Sequence, residues 1–167
     1  MKNKKNIVII ISIFVVFFIV GFLFGTTDQK AENKAVFENA TLVEYEKNGG
    51  KIAMYIPEGW EYTINKEGLE HLLVNFSIDF KPEGVDGGYI SVSYRERFGV
   101  CGTELNVEEI TVGEYKAVKG TYGYANYWSY INFLDTEGIY IANNDTAFWY
   151  YQYSDEVMEI LSTVKLG

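Results

Sequence analysis

The chain has 167 residues, a net charge of −9, and only one cysteine and one histidine. This count excludes a zinc site built from His and Cys ligands, which needs about four such residues, and it excludes a disulfide within the chain. The acidic balance disfavours nucleic acid as a partner, because the phosphate backbone is itself negative.

The first 25 residues have the pattern of a membrane segment. Lys2, Lys4 and Lys5 precede residues 7–24, which are 18 residues without a charge. A helix of that length spans about 27 Å, close to the roughly 30 Å hydrocarbon core of a bilayer. We therefore predict that residues 1–25 form an N-terminal membrane anchor, a transmembrane helix. A cleaved signal peptide is the alternative, although its apolar stretch is usually about 7–15 residues long and ends at small side chains.

The position of the lysines predicts the orientation of the chain. Positive residues stay on the cytoplasmic side, which predicts a single-pass protein of the cell membrane with a cytoplasmic N-terminus and an extracellular domain. Cleavage of the segment would give a secreted protein instead. The remaining residues carry 11 basic and all 23 acidic side chains, a net charge of −12. The predicted partners are the membrane, through the N-terminal segment, and an envelope protein or cell-wall ligand, with no nucleic acid.

The rest of the chain predicts a linker and one domain. Residues 26–35 are polar and without periodicity, which is typical of a linker, and residues 36–167 form the predicted extracytoplasmic domain. Residues 41–46 and 51–56 alternate in hydropathy around Lys47-Asn48-Gly49-Gly50, a strong hairpin signal because Asn and Gly tolerate positive φ.

Further strands are predicted by alternation between apolar and polar residues. They are residues 60–64, 72–80, 89–96, 108–112, 114–120, 121–134, 139–142 and 147–153. In residues 72–80 the apolar side chains point one way, and Asn75, Ser77 and Asp79 form a wet face. Ser154 is a natural N-cap for the one clear helix, since the apolar residues that follow it recur at helical spacing. We predict an α+β fold, an antiparallel sheet with a C-terminal helix packed on it.

Aromatic residues are concentrated in residues 121–134 and 148–153, and they occur on both faces of the predicted strands. A strand that is apolar on both faces belongs in a sheet covered twice, and the helix supplies one cover. Residues 65–72 and 103–110 are the candidates for the other. If they leave part of the face open, an aromatic groove results, suited to sugars, peptides or a protein surface. Its predicted ligand-binding residues are Tyr122, Tyr124, Trp128 and Tyr130.

Few residues offer catalytic chemistry. Nucleophilic catalysis needs a histidine base, but His71 and Cys101 lie in no recognisable motif. Glycoside hydrolysis needs two carboxyl groups about 5–10 Å apart, and Asp79 and Glu96 lie on neighbouring predicted strands. Acidic residues in turns lack the spacing of a calcium loop. We predict no catalytic residues, no metal site and no cofactor.

Three segments resemble the PsbP/Mog1-like group of extracytoplasmic domains. They are YIPEGWEY at residues 55–62, ITVGEYKAVKG at residues 110–120, and DEVMEILSTVKL at residues 155–166. The resemblance implies an antiparallel sheet with flanking helices, and it supplies no catalytic residues.

We therefore expect a non-catalytic binding or interaction module at the cell envelope, which uses an aromatic-rich sheet. One alternative is a carboxylate-dependent hydrolase that acts on cell-wall polysaccharide. Another is an accessory subunit or regulator of a membrane complex.

Overall fold

The computed structural model describes residues 39–67, 73–96, 104–123, 125 and 127–167. These residues belong to one unit, Asn39–Gly167, and form ten strands and one helix. The strands are β1 (Thr41–Lys47), β2 (Gly50–Ile56), β3 (Trp60–Asn65), β4 (Val74–Pro82), β5 (Tyr89–Arg95), β6 (Leu105–Val112), β7 (Tyr115–Tyr122), β8 (Tyr130–Phe133), β9 (Ile139–Asn144) and β10 (Lys165–Leu166), and the helix is α1 (Tyr150–Ser162).

A three-stranded antiparallel sheet has the order β1-β2-β10. Its hairpin is the predicted one, because Lys47 pairs with Gly50 and the two central residues, Asn48 and Gly49, have φ of 55° and 86°. Both values lie in the left-handed region that a two-residue turn requires. The C-terminus completes the sheet, since the amide of Lys51 donates to the carbonyl of Gly167 at 2.7 Å.

A seven-stranded antiparallel sheet has the order β3-β4-β5-β9-β8-β7-β6. Its strands alternate as predicted over β4, where Val74, Phe76, Ile78 and Phe80 are buried on one face. The tight turn at Gly113 joins β6 to β7, and Val112 pairs with Tyr115. Residues 105–110 lie in β6 and form no helix, so they do not cover a sheet face in the way we expected.

The hydrophobic core lies between the inner faces of the two sheets and the helix. One cluster of buried side chains joins β2, β4, β5, β8, β9 and α1. Because α1 and the three-stranded sheet both pack on the inner face of the seven-stranded sheet, the outer face of that sheet carries the polar residues that alternation places there.

The helix carries the predicted apolar stripe but begins earlier than predicted. Val157, Ile160 and Leu161 are buried. The helix begins at Tyr150 with Trp149 in the N-cap position and no side-chain cap, and Tyr153 is non-helical (φ −119°, ψ 17°). Regular helix therefore resumes at Ser154, the residue that the sequence favoured as the start.

Three predictions about the fold are wrong. The α+β class is contradicted, because the described residues are mostly strand with a single C-terminal helix. Residues 147–153 are not a strand but a turn and the first turn of α1. The 121–134 strand is also interrupted, since β7 ends at Tyr122 and β8 begins at Tyr130.

The predicted transmembrane helix, the anchor at residues 1–25 and the linker at residues 26–35 lie outside the described residues. Within the described part of the chain, no helix combines the length and the hydropathy needed to cross a lipid bilayer.

Candidate functional site

The four aromatic residues predicted to form a groove lie in different environments. Trp128 and Tyr130 are buried, with 4 % and 8 % of their surfaces exposed. Tyr122, the last residue of β7, is half-buried, and Tyr124 lies outside the described residues. Trp128 and Tyr130 therefore present little ring surface to a ligand, and the groove stays a prediction.

Two contacts explain this burial. The Trp128 indole Nε1–H donates to the Tyr150 hydroxyl at 2.6 Å, and the two rings meet edge to face at 5.9 Å. The Tyr130 ring lies on Gly120, where a Cβ atom would come within 2.0 Å of a ring carbon. Both rings are packing elements, one against the helix and one over a strand glycine.

The other residues singled out in the sequence do not form a catalytic site. His71 and Cys101 lie outside the described residues. Asp79 pairs across the sheet with Ser91, and Glu96 follows the end of β5, five residues further along the chain, so the Cα atoms of the two acidic residues are about 17 Å apart along the strand direction. Within residues 39–67, 73–96, 104–123, 125 and 127–167, no three His, Cys, Asp or Glu side chains are grouped closely enough to hold a metal ion.

The structure places a different cleft on the outer face of the seven-stranded sheet. It has a volume of about 440 Å³ and lies over β3, β4 and the start of β5. Its lining residues are Glu61, Tyr62, Thr63, Asn65, Asp79, Phe80, Lys81, Gly87, Gly88 and Tyr89. The side chains of Ser77 and Ser91 lie on the same face of the sheet and are buried beside the cleft.

Asp79 is the central polar group of this cleft. Its Oδ2 accepts a hydrogen bond from the Asn65 amide at 2.7 Å, and its Oδ1 accepts one from the Ser91 hydroxyl at 2.6 Å. The Asn65 amide also donates to Ser77 at 3.2 Å. Burial raises the pKa of Asp79, while hydrogen bonds from Ser91, Ser77 and Asn65 act in the opposite direction. The carboxylate is thus fixed in orientation at the floor of an open cleft.

Two charged residues and a tyrosine stand beside Asp79. Lys81 pairs with Glu61 at 3.1 Å and also donates to the carbonyl of Val85 at 3.0 Å. Tyr89 is 42 % exposed and lies on the same face as Ser91, two residues along β5. Burial raises the pKa of Tyr89, and the negative charge of Asp79 adds to this effect. The site therefore combines hydrogen-bond donors and acceptors with the half-exposed ring of Tyr89.

The turn that borders the cleft is fixed by close backbone packing. Residues 83–88 connect β4 to β5, and Gly88 has a φ of 51°. A Cβ atom at Gly88 would lie 2.3 Å from the carbonyl oxygen of Asp145. Only glycine fits both this φ and this contact.

The sequence contains part of the signal for this site. Alternation placed Ser77 and Asp79 together on a wet face, but their partners Asn65 and Ser91 lie on the two neighbouring strands. Finding them requires the register of β3 and β5 against β4, which hydropathy alone does not provide.

A second depression of about 420 Å³ lies beside the three-stranded sheet, lined by Leu42, Glu44, Lys51, Ala53, Tyr55, Thr163, Lys165, Leu166 and Gly167. Its charged residues Glu44 and Lys51 pair with each other at 2.9 Å and are exposed. It offers a weaker case than the cleft at Asp79, whose carboxylate is held by hydrogen bonds from Asn65 and Ser91.

Comparison with known proteins gives no relative of this chain. No family model, no curated protein and no solved structure matches it. The resemblance to the PsbP/Mog1-like group is therefore untested and stays a prediction.

Proposed function

We propose that this domain is a non-catalytic binding module and that its ligand is a neutral saccharide held in the cleft at Asp79. The observation that carries the proposal is the Asp79 carboxylate, which Asn65 and Ser91 hold at the floor of an open cleft. The two hydrogen bonds from Asn65 and Ser91 occupy fewer than the roughly four acceptor positions of a carboxylate. Asp79 can therefore accept a further hydrogen bond from a ligand hydroxyl.

The charges of the cleft favour a neutral ligand. An anion would meet the carboxylates of Glu61 and Asp79, and a cation would have to compete with Lys81, which already pairs with Glu61. A saccharide avoids both conflicts, because each hydroxyl is a donor and an acceptor. The half-exposed ring of Tyr89 adds a flat amphipathic surface for the apolar face of a sugar.

The predicted location fits a ligand of the cell envelope. Residues 7–24 are an uncharged apolar run that follows three lysines, and this pattern is the basis for expecting the domain outside the cell membrane. Cell-wall polysaccharide is the saccharide that such a domain would meet.

The experiment is titration calorimetry of the full chain with a panel of glucose, galactose, mannose and N-acetylglucosamine and their oligomers. The full chain is kept in a polyoxyethylene detergent, because sugar-headed detergents would compete. We expect at least one neutral saccharide to bind, and Asp79→Asn to weaken that binding at least about tenfold, since a hydrogen bond to a charged group contributes about 1.5–3 kcal/mol.

The matched control is Glu46→Gln, which removes the same charge from an exposed position on β1. It should bind like the wild-type chain. The proposal would be overturned if the chain bound neither the monosaccharides nor their oligomers. It would also be overturned if the chain bound oligolysine, a cationic ligand, more tightly than any saccharide.

Hydrolysis of a saccharide is the second candidate function. One observation favours it, because Glu61 and Asp79 line the same cleft and occupy diagonal positions across β3 and β4, about 7–8 Å apart at Cα. Binding is preferred because Glu61 is paired with Lys81. Release of reducing ends from any bound oligomer, lost in both Glu61→Gln and Asp79→Asn, would establish hydrolysis instead.

A further inference from the structure

Phe148 is exposed to an unusual degree for an apolar ring. It is 93 % exposed, the highest value among the large hydrophobic side chains of the described residues, while the adjacent Trp149 is 3 % exposed. A ring left almost wholly in water forgoes the stabilisation that burial would give it. Its position relative to the cleft therefore bears on what it does.

The backbone around Phe148 is fixed on both sides. The amides of Trp149 and Tyr150 donate to the carbonyl of Thr146 at 3.0 and 2.8 Å. Thr146 is fully buried, and its hydroxyl is hydrogen-bonded to the side chain of Asn143. The exposed ring is thus presented by an ordered turn.

This turn is fastened to the turn that borders the cleft. The Trp149 indole Nε1–H donates to the carbonyl of Gly87 at 2.9 Å. A ring carbon of Phe148 lies 3.8 Å from the position that a Cβ atom would take at Gly87. Because Gly87, Gly88 and Tyr89 line the cleft, the Phe148 ring lies at its rim.

The distance between the two ends of this surface exceeds one sugar ring. Tyr89, the first residue of β5, is already two strand residues or about 7 Å from Ser91, the residue paired with Asp79, and Gly87 with the Phe148 ring lies beyond Tyr89 in the turn. A monosaccharide that is hydrogen-bonded to Asp79 would not extend to Phe148, whereas a chain of sugars would.

We propose that Phe148 is a second stacking platform of the same site, and that the ligand is an extended saccharide chain bound from Asp79 to the rim. This inference rests on the proposed function, since it assigns a length to the same ligand. Phe148 lacks a hydroxyl, so its contribution is apolar contact with the face of a sugar ring. An aromatic contact of this kind corresponds to roughly two- to tenfold in affinity.

The experiment measures affinity against chain length for the saccharide that the wild-type chain binds, from one to six units, with the full chain in the same detergent. We expect affinity to rise with length and then level off. Phe148→Ala should keep the wild-type affinity for the monosaccharide and lose roughly two- to tenfold for the longer oligomers. Phe148→Trp should retain the gain with length.

Tyr151→Ala is the matched control. Tyr151 is also an exposed aromatic residue of this region, but its ring packs beside Tyr127 and Tyr150. This variant should follow the wild-type curve. If Tyr151→Ala lost as much affinity for the oligomers as Phe148→Ala, any exposed aromatic ring of this region would produce the effect, whether or not it lay at the rim. That result would overturn the inference.

The failures of the two proposals are distinguishable. If Phe148→Ala matches the wild-type chain at every length while Asp79→Asn loses binding, only the second platform is wrong. If Phe148→Ala weakens the monosaccharide as strongly as the oligomers, Phe148 belongs to the primary site and the chain-length inference is wrong. If the wild-type chain binds no saccharide of any length, the proposed function itself is wrong.

Discussion

Replacing Trp128 tests whether this residue belongs to the core or to a ligand-binding groove. Trp128→Ala should lower the free energy of unfolding by about 3–5 kcal/mol, the range for removing a large aromatic side chain from a packed interior. The structural basis is its 4 % exposure and its edge-to-face contact with Tyr150. A groove residue would instead cost little, since exposed substitutions usually lie within about 0.5 kcal/mol.

The hydrogen bond between Trp128 and Tyr150 can be measured separately by a double-mutant cycle. Trp128→Phe removes the indole donor, and Tyr150→Phe removes the hydroxyl that accepts from it at 2.6 Å. Each single change leaves a buried polar group without this partner, at a cost of about 1–3 kcal/mol. Because the double variant removes both groups, its cost should fall short of the sum by about 1 kcal/mol.

The assay is urea unfolding followed by far-ultraviolet circular dichroism, with Phe148→Ala as the control. Phe148 is an exposed aromatic residue of the same region, and its removal should change the free energy of unfolding by less than about 0.5 kcal/mol. A Trp128→Ala chain as stable as the wild type, or single variants whose costs simply add, would refute the packing described above.

Three further predictions concern the cleft and the location of the chain. Gly88→Ala should destabilise the fold by about 1–3 kcal/mol more than Gly59→Ala in the same urea assay. Both positions have positive φ, but only at Gly88 would the added Cβ atom come within 2.3 Å of a backbone carbonyl oxygen, that of Asp145. Equal costs for the two variants would contradict the contact between the two turns. Asp79 lies beside Glu61, Lys81 and Tyr89, and its pKa is raised. The folded state therefore binds the Asp79 proton more tightly than the unfolded state does. The contribution of this proton to stability should be fully present below about pH 3.9 and be lost as the pH rises through the folded pKa. Asp79→Asn should lack that decline in urea titrations at stepped pH, and an unchanged slope would exclude Asp79 as its source. Because residues 7–24 are uncharged and apolar, alkaline washing should leave the full chain in the membrane pellet, and its recovery in the supernatant without proteolytic shortening would count against membrane association.

The strands that the sequence predicts well are those whose pattern arises locally. The Asn48-Gly49 turn and the alternation around Phe76 and Ile78 depend only on neighbouring residues, and both are present in the structure. The strand prediction for residues 148–153 was wrong for a physical reason. Aromatic residues favour strands intrinsically, but the environment of these residues in the fold selects a helix. Trp149 and Tyr150 are buried in the core and Phe148 and Tyr151 face water, a division that alternation in a strand cannot produce.

The sequence predicted the polar residues of the candidate site on only one of its strands, β4. The wet face with Ser77 and Asp79 follows from alternation, but Asn65 and Ser91 reach Asp79 through register with β3 and β5. No signal in the sequence indicates the contact between Trp128 and Tyr150, which are 22 residues apart. Such a contact depends on where the helix packs, and the sequence alone does not determine that position.

The arrangement of layers explains why the cleft occurs on this face. The core needs a cover on one side of the seven-stranded sheet, and the helix together with the three-stranded sheet provides it. The opposite face of β4 then carries polar side chains, of which Asp79 is partly exposed and Ser77 is buried. Partial burial raises the pKa of Asp79, and the hydrogen bonds from Asn65 and Ser91 offset part of the cost of burying its charge. Ser91 donates to Asp79 and Ser77 accepts from Asn65, so the polar character of this face depends on a few hydrogen-bonded side chains and not on the packing of the core.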